Sequence, residues 1–259
     1  MSSIDWDTTT AAIWRSRKEI LHAVRHLDPV QLDSLLAIDS QKQQLIDNTA
    51  RFLQHQPANN ALLWGAKGTG KSSLIKALLN HFAPQGLRII EIDKDDLIYL
   101  PEIVDGVRDL PFRFVVYCDD LSFDNEERMY KHLKSVLEGS IEKPPENVLL
   151  YATSNRRHLM PEFMQDNLQT QLINGEIHYS DTVEEKTSLS DRFGLWISFY
   201  PITTEQYLNI VDYYFKDYAG DRQHLHALAK RFALARGSKS GRTARQFFLA
   251  TAESSITER

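Results

Sequence analysis

The run Gly65-Ala66-Lys67-Gly68-Thr69-Gly70-Lys71-Ser72 fits the pattern G-x-x-x-x-G-K-[ST], whose chemistry is phosphate binding. Glycines let the backbone turn inward and aim successive N–H groups at phosphate oxygens, where a β-carbon would collide. A helix opening near Ser72 adds the positive end of its dipole. Lys71 reaches the β- and γ-phosphates, the Ser72 hydroxyl takes one place on Mg²⁺, and the binding set runs on to Ser73. A second run, Phe114-Val115-Val116-Tyr117-Cys118-Asp119-Asp120, ends an apolar strand in two carboxylates. Adjacent residues at a strand tip point in different directions, so the two acids can take different roles. Asp119 is assigned to Mg²⁺ through a water, and Asp120 to orienting or polarising the water that attacks. Together these runs call for ATP with Mg²⁺, and for hydrolysis.

Such a site needs strands to present it and helices to brace it. Apolar runs at 61–64, 87–92, 112–118, 148–152 and 195–199 read as five strands. Helical patterns over 72–82, 95–109 and 126–138 alternate with them, the second interrupted by Pro101 and Gly106. Continuous apolar strands separated by helices imply a parallel sheet covered on both faces. The strand at 87–92 lies between the phosphate-loop strand and the Asp119–Asp120 strand; that insertion marks phosphate-loop proteins with an acidic catalytic residue and argues against simple nucleotide kinases. After Pro201, residues 203–218, 223–235 and 244–254 read as three helices with no strand. Upstream, Ile13, Ile20, Leu21, Val24 and Leu27 predict an amphipathic helix over 11–27, with a second helix over 39–53. The expected organisation is an N-terminal helical extension (1–38), an α/β nucleotide-binding core (39–200) and an all-helical C-terminal unit (201–259).

Composition sets the bounds. With 42% hydrophobic and 25% charged residues, a packed core is available and disorder is excluded. A formal net charge of −5 excludes polyanion binding by bulk electrostatics, so any nucleic-acid surface is local. The single cysteine, Cys118, cannot form an internal disulfide and sits in an apolar run as core, which fits a reducing cytoplasm. No signal peptide and no membrane span is expected. His22 and His26, one turn apart on the expected helix, lack a third ligand and read as a surface pair.

Four further places resemble the AAA+ ATPases. Asp119-Asp120 looks like that family's Walker B pair, and Ala152-Thr153-Ser154-Asn155-Arg156 looks like sensor 1, with Asn155 facing the γ-phosphate. Leu189-Ser190-Asp191-Arg192-Phe193-Gly194 resembles the segment presenting the arginine finger, and Gly241-Arg242-Thr243-Ala244-Arg245-Gln246-Phe247 resembles sensor 2. The likeness spans 40–250. More closely, residues 64–79, 91–97, 117–123 and 151–159 are similar to a bacterial AAA+ group catalogued only as a domain of unknown function. The resemblance implies a five-stranded AAA+ core with a helical lid. It implies a catalytic set of Asp120, Asn155, Arg192 and Arg242, with Arg245 as the alternative to Arg242. The family's second Walker B acid is usually Glu; Asp120 is one methylene shorter, so slow turnover is expected, with Glu126 or Glu127 as alternative bases.

Arg192 offers a planar charged fork for the γ-phosphoryl of the transition state. Supplied across a subunit boundary, it requires self-association into a ring or filament. The lid carries Arg222, Lys230, Arg231, Arg236, Lys239, Arg242 and Arg245, a basic stretch over 222–245 open to nucleic acid or simply solvated. A hairpin-like turn around 173–177 precedes Arg192. The protein client stays open. The rival readings are a nucleotide-gated binding switch, a DNA-associated loader and, weakest, a phosphate-loop kinase.

Overall fold

The computed structural model describes residues 4–121, 143–155, 171–173, 176–178 and 193–254. Among these residues the strands are β1 (Ala11–Arg15), β2 (Ile20–Ala23), β3 (Ala61–Gly65), β4 (Leu87–Ile92), β5 (Arg113–Cys118), β6 (Val148–Ser154), β7 (Gln171–Ile173), β8 (Glu176–His178) and β9 (Leu195–Phe199). The helices are α1 (Asp39–Leu53), α2 (Lys71–Phe82), α3 (Leu100–Asp105), α4 (Thr204–Tyr214), α5 (Arg222–Ala235) and α6 (Gly241–Ser254). One sheet runs in the order β2-β1-β4-β5-β6-β3-β9, and β7 pairs separately with β8 as an antiparallel ribbon. The five strands read from the sequence form the parallel run β4-β5-β6-β3-β9. The sheet is nonetheless seven strands wide, not five.

The extra two strands correct the reading of the N-terminus. Residues 11–23 form a hairpin, not a helix. Ala11 pairs with Ile89 in parallel register, so β1 takes up the hydrogen-bonding edge of β4 that would otherwise stay open. Glu19 at φ 50° makes the turn into β2. The seven-residue spacing of Ile13 and Ile20 suggested a helix face, but tertiary pairing to the sheet edge overrides it. His22 consequently lies on β2 and His26 beyond it, not on one helical face. The expected helix at 95–109 is shorter: a 3-10 segment from Lys94 to Tyr99 leads into α3, with Pro101 in its first turn. The expected helix at 126–138 lies outside the described residues.

Strand alternation sorts the core into two layers. Phe114, Val116 and Cys118 of β5 face one side with Trp6, Trp14, Leu100 and Ile103. Val115 and Tyr117 face the other, against Leu45 and Phe52 of α1 and Leu74, Ile75 and Leu78 of α2. Each such fully buried aliphatic side chain is worth about 1.5–3 kcal/mol of transfer free energy. On that second face Tyr151 of β6 pins α1: Asn48 Nδ2 donates to its hydroxyl at 3.0 Å, and Thr49 Oγ1 lies 2.9 Å from it. Helices α4 to α6 close around their own core of Tyr207, Val211, Leu225, Ala229 and Phe247. Thr203 opens α4 with a reciprocal cap, accepting from the Gln206 N–H while Gln206 accepts from the Thr203 N–H. No helix among the described residues is long and apolar enough to cross a membrane.

Candidate functional site

β3 delivers the chain into the glycine-rich loop at Gly65, whose φ of +129° favours glycine. A β-carbon there would sit 2.0 Å from the Phe199 carbonyl oxygen, which instead accepts from the Ala66 N–H at 3.0 Å. Gly68, at φ +77°, lies against the lid: a β-carbon would stand 2.9 Å from Ser240 Oγ. The loop then enters α2 at Lys71 through Gly70, and no side chain caps that helix. Its first N–H groups therefore have no side-chain acceptor and suit an anion. Thr69 Oγ1 braces the loop from within, donating to the Ala66 carbonyl at 2.8 Å. Lys67 is exposed, and Ser73 is part-buried in the first turn of α2.

β6 lies between β5 and β3, with Val116 paired to Leu150 and Leu63 paired to Thr153. Its tip therefore meets the acids on one side and the phosphate loop on the other. Alternation turns Tyr117 and Asp119 of the β5 tip, and Thr153 and Asn155 of the β6 tip, toward α2. Lys71 Nζ donates to the Gly65 and Ala66 carbonyls, each at 2.8 Å, and to Asn155 Oδ1 at 3.2 Å. The Asn155 amide nitrogen donates in turn to the Asp120 carboxylate. Ser72 Oγ donates to Asp119 Oδ1 at 2.9 Å, and Thr153 Oγ1 donates to the same carboxylate. Of the sequence-derived set, Lys71, Asn155 and Asp120 are thus linked by direct hydrogen bonds, as are Ser72 and Asp119.

Electrostatics follow from that packing. Burial lowers Lys71 below its ordinary 10.5, with the charges of Asp119 and Asp120 opposing the shift. Burial pushes Asp119 the other way, yet interactions with Thr153, Tyr117, Ser72 and the Asp120 N–H outweigh it and hold the acid below its ordinary 3.8. Asp119 is therefore an anion at neutral pH. The Tyr117 hydroxyl is buried beside Ser72 and Asp119, and its interaction with Asp119 is one of those that favour the carboxylate. A hydroxyl and an ionised carboxylate side by side are hard oxygen donors that fit a hydrated magnesium ion, which Ser72 and Asp119 would hold.

The lid residues divide. Arg242 is close enough for its charge to lower Lys71, whereas the charge of Arg245 acts on Tyr214 within the lid. Arg242 also begins beside the loop, its Cβ lying 3.9 Å from where a β-carbon at Gly68 would stand. Arg192 and Arg156, with the alternative bases Glu126 and Glu127, lie outside the described residues. Two contributors escaped the sequence reading. Thr153 was legible only as a neighbour of Asn155, although its spacing of two places it on the same strand face. Ser240 carried no local signal, because its contact with Gly68 depends on how the lid docks.

The sequence matches, over residues 7–255, the family described as "Protein of unknown function (DUF815)". No curated protein matches it. Among solved structures, Orc1 of Aeropyrum pernix in complex with DNA aligns with a TM-score of 0.61 and 17% identity, over 87% of this chain and 62% of that one. The present chain therefore spans less than two thirds of that Orc1 chain. The FIGL-1 AAA domain in complex with ADP aligns with a TM-score of 0.58 and 16% identity, over 90% of this chain and 76% of that one. At such identities the likeness is one of fold, and the fold is the AAA+ phosphate-loop architecture. The chain belongs to the DUF815 family and has the AAA+ fold.

Proposed function

We propose that the protein binds ATP with Mg²⁺ in the loop from Gly65 to Ser73 and hydrolyses it, driving motion between an α/β core (39–200) and a helical lid (201–259). The observation that carries this is the bridge from Lys71 through Asn155 to Asp120, because it joins the phosphate-binding cation to the candidate water-activating acid. Lys71 and the first N–H groups of α2 take the phosphate oxygens. Ser72 and Asp119 hold Mg²⁺, which when bound supplies charge neutralisation at the β- and γ-phosphates. Asp120 orients the water, and Asn155 contributes a donor without adding net charge. Arg242 brings the lid's charge to the phosphates, and Arg192, supplied by a neighbouring copy in a ring or filament, stabilises the transition state. The work is done on a protein or nucleic-acid partner in the cytoplasm, the basic lid surface 222–245 being the place for the latter.

A second reading, a nucleotide-gated switch with incidental turnover, draws on one observation: Asn155 already donates to the short Asp120 carboxylate. Phosphate release separates the two. Purified protein is expected to release phosphate from Mg-ATP without any acceptor, which also excludes a kinase. Asp120→Asn is expected to keep ATP affinity and lose turnover by about a hundredfold or more. Unchanged turnover in that variant leaves the switch reading standing and removes Asp120 from catalysis.

A further inference from the structure

Two strand tips meet at this site, and one side chain ties them together. Thr153 is 2% exposed. Its hydroxyl donates its only proton to the Asp119 carboxylate and accepts from the Asp120 N–H at 2.9 Å. Its carbonyl accepts from the Leu121 N–H at 2.7 Å. Three successive residues of the β5 tip thus hang on one residue of β6. The middle one, Asp120, is held at φ 52°, in the left-handed region. An aspartate tolerates that conformation better than most residues with a β-carbon, and the bonds that the Asp120 and Leu121 N–H groups donate to Thr153 hold it here.

The consequence concerns aim. Two adjacent carboxylates repel, and each has several rotamers. The Thr153 hydroxyl fixes the first acid toward Ser72. The bond from the Asp120 N–H to the same hydroxyl holds the backbone turn that sends the second acid to Asn155 instead. We infer that Thr153 is a positioning residue, aligning Asp119 for the metal and Asp120 for the water through one hydroxyl. The inference rests on the ATPase reading above. A merely structural threonine would satisfy its own buried hydroxyl and brace the sheet, so that its loss would lower stability and leave metal dependence alone.

The test uses the full chain, a fluorescent ATP analogue, and titration with MgCl₂ against an EDTA control, alongside thermal midpoints. Thr153→Val and Thr153→Ala delete the hydroxyl at two different sizes, so one folded variant suffices. Thr153→Ser retains it. Deletion is expected to raise the magnesium concentration for half-maximal nucleotide affinity about tenfold or more, as for other groups that orient metal ligands. Affinity in EDTA is expected to stay at the wild-type value, and Thr153→Ser to restore magnesium dependence to within about twofold. Wild-type magnesium dependence in the deletion variants overturns the inference, as does a Thr153→Ser protein as impaired as Thr153→Val. If the wild-type protein itself binds the analogue without regard to magnesium, the metal-site reading falls, and this inference falls with it.

Discussion

The two ends of the central strands carry the same element of charge in opposite settings. At the carboxyl ends of β3, β5 and β6, Lys71 is buried against two backbone carbonyls, Asn155 and the field of two carboxylates. At the amino end of β5, Arg113 is 9% exposed, bonded to the Glu146 carbonyl and the His55 ring, with its guanidinium 5.1 Å from the centre of the Phe52 ring. Burial lowers the pKa of both cations. Arg113 borders a cavity of about 430 Å³ lined also by Phe52, Val104 and Val148, and its partners are a main-chain carbonyl, a ring nitrogen and an aromatic face. Lys71 stands among groups that a phosphate can outbid, namely two carbonyls and an amide. One cation is fixed in the architecture, and the other, on the proposed function, is held in reserve for a ligand.

Exchanging the losses tests that contrast most strongly. Lys71→Met is expected to cost about tenfold to a hundredfold in ATP affinity, the worth of a hydrogen bond to a charged group, with little change in thermal midpoint. Arg113→Met is expected to do the reverse, lowering unfolding free energy by about 1–3 kcal/mol and leaving ATP affinity intact. Calorimetry and analogue binding on the same two proteins read both quantities. A thermal loss confined to Lys71→Met would invert the comparison.

A smaller effect sharpens it through pH. If Lys71 binds phosphate in its protonated form, its contribution to affinity is complete well below its pKa and is lost as pH rises through that pKa. Because burial lowers that pKa, the alkaline loss is expected to begin below pH 10.5. Lys71→Arg, with a guanidinium that stays charged, should move the limb upward. A limb unchanged by that substitution would assign the titration to another group. The smallest effect concerns Cys118, fully buried one residue before Asp119 and with its thiol pushed up by burial. Under native conditions it should resist thiol reagents equally with and without nucleotide, and react fully in denaturant. Reaction that depends on nucleotide would mean that the β5 tip opens during binding.

The phosphate loop and the acids were legible because their chemistry is local: glycines, a lysine and a hydroxyl in one octapeptide, and two carboxylates closing one apolar run. The five central strands were legible for a similar reason, since each is built on a short, mostly apolar run. The β1–β2 hairpin was not, because Ala11–Arg15 becomes a strand only where β4 presents an edge. Nor could periodicity choose between Arg242 and Arg245. They stand about one helical turn apart on the same face, and only the docking of α6 separates one whose charge reaches Lys71 from one whose charge reaches Tyr214. The Thr153 bonds required the register of two strands distant in sequence.

The approach of Ser240 to Gly68 is a joint with no washer. The clearance is less than one methyl group, so any movement that lifts the lid must first part these two residues. Anything that thickens the loop at that point wedges the lid outward. For the proposed motion, lid angle and loop thickness then form a single mechanical coordinate, gauged where one chain segment has no side chain to yield.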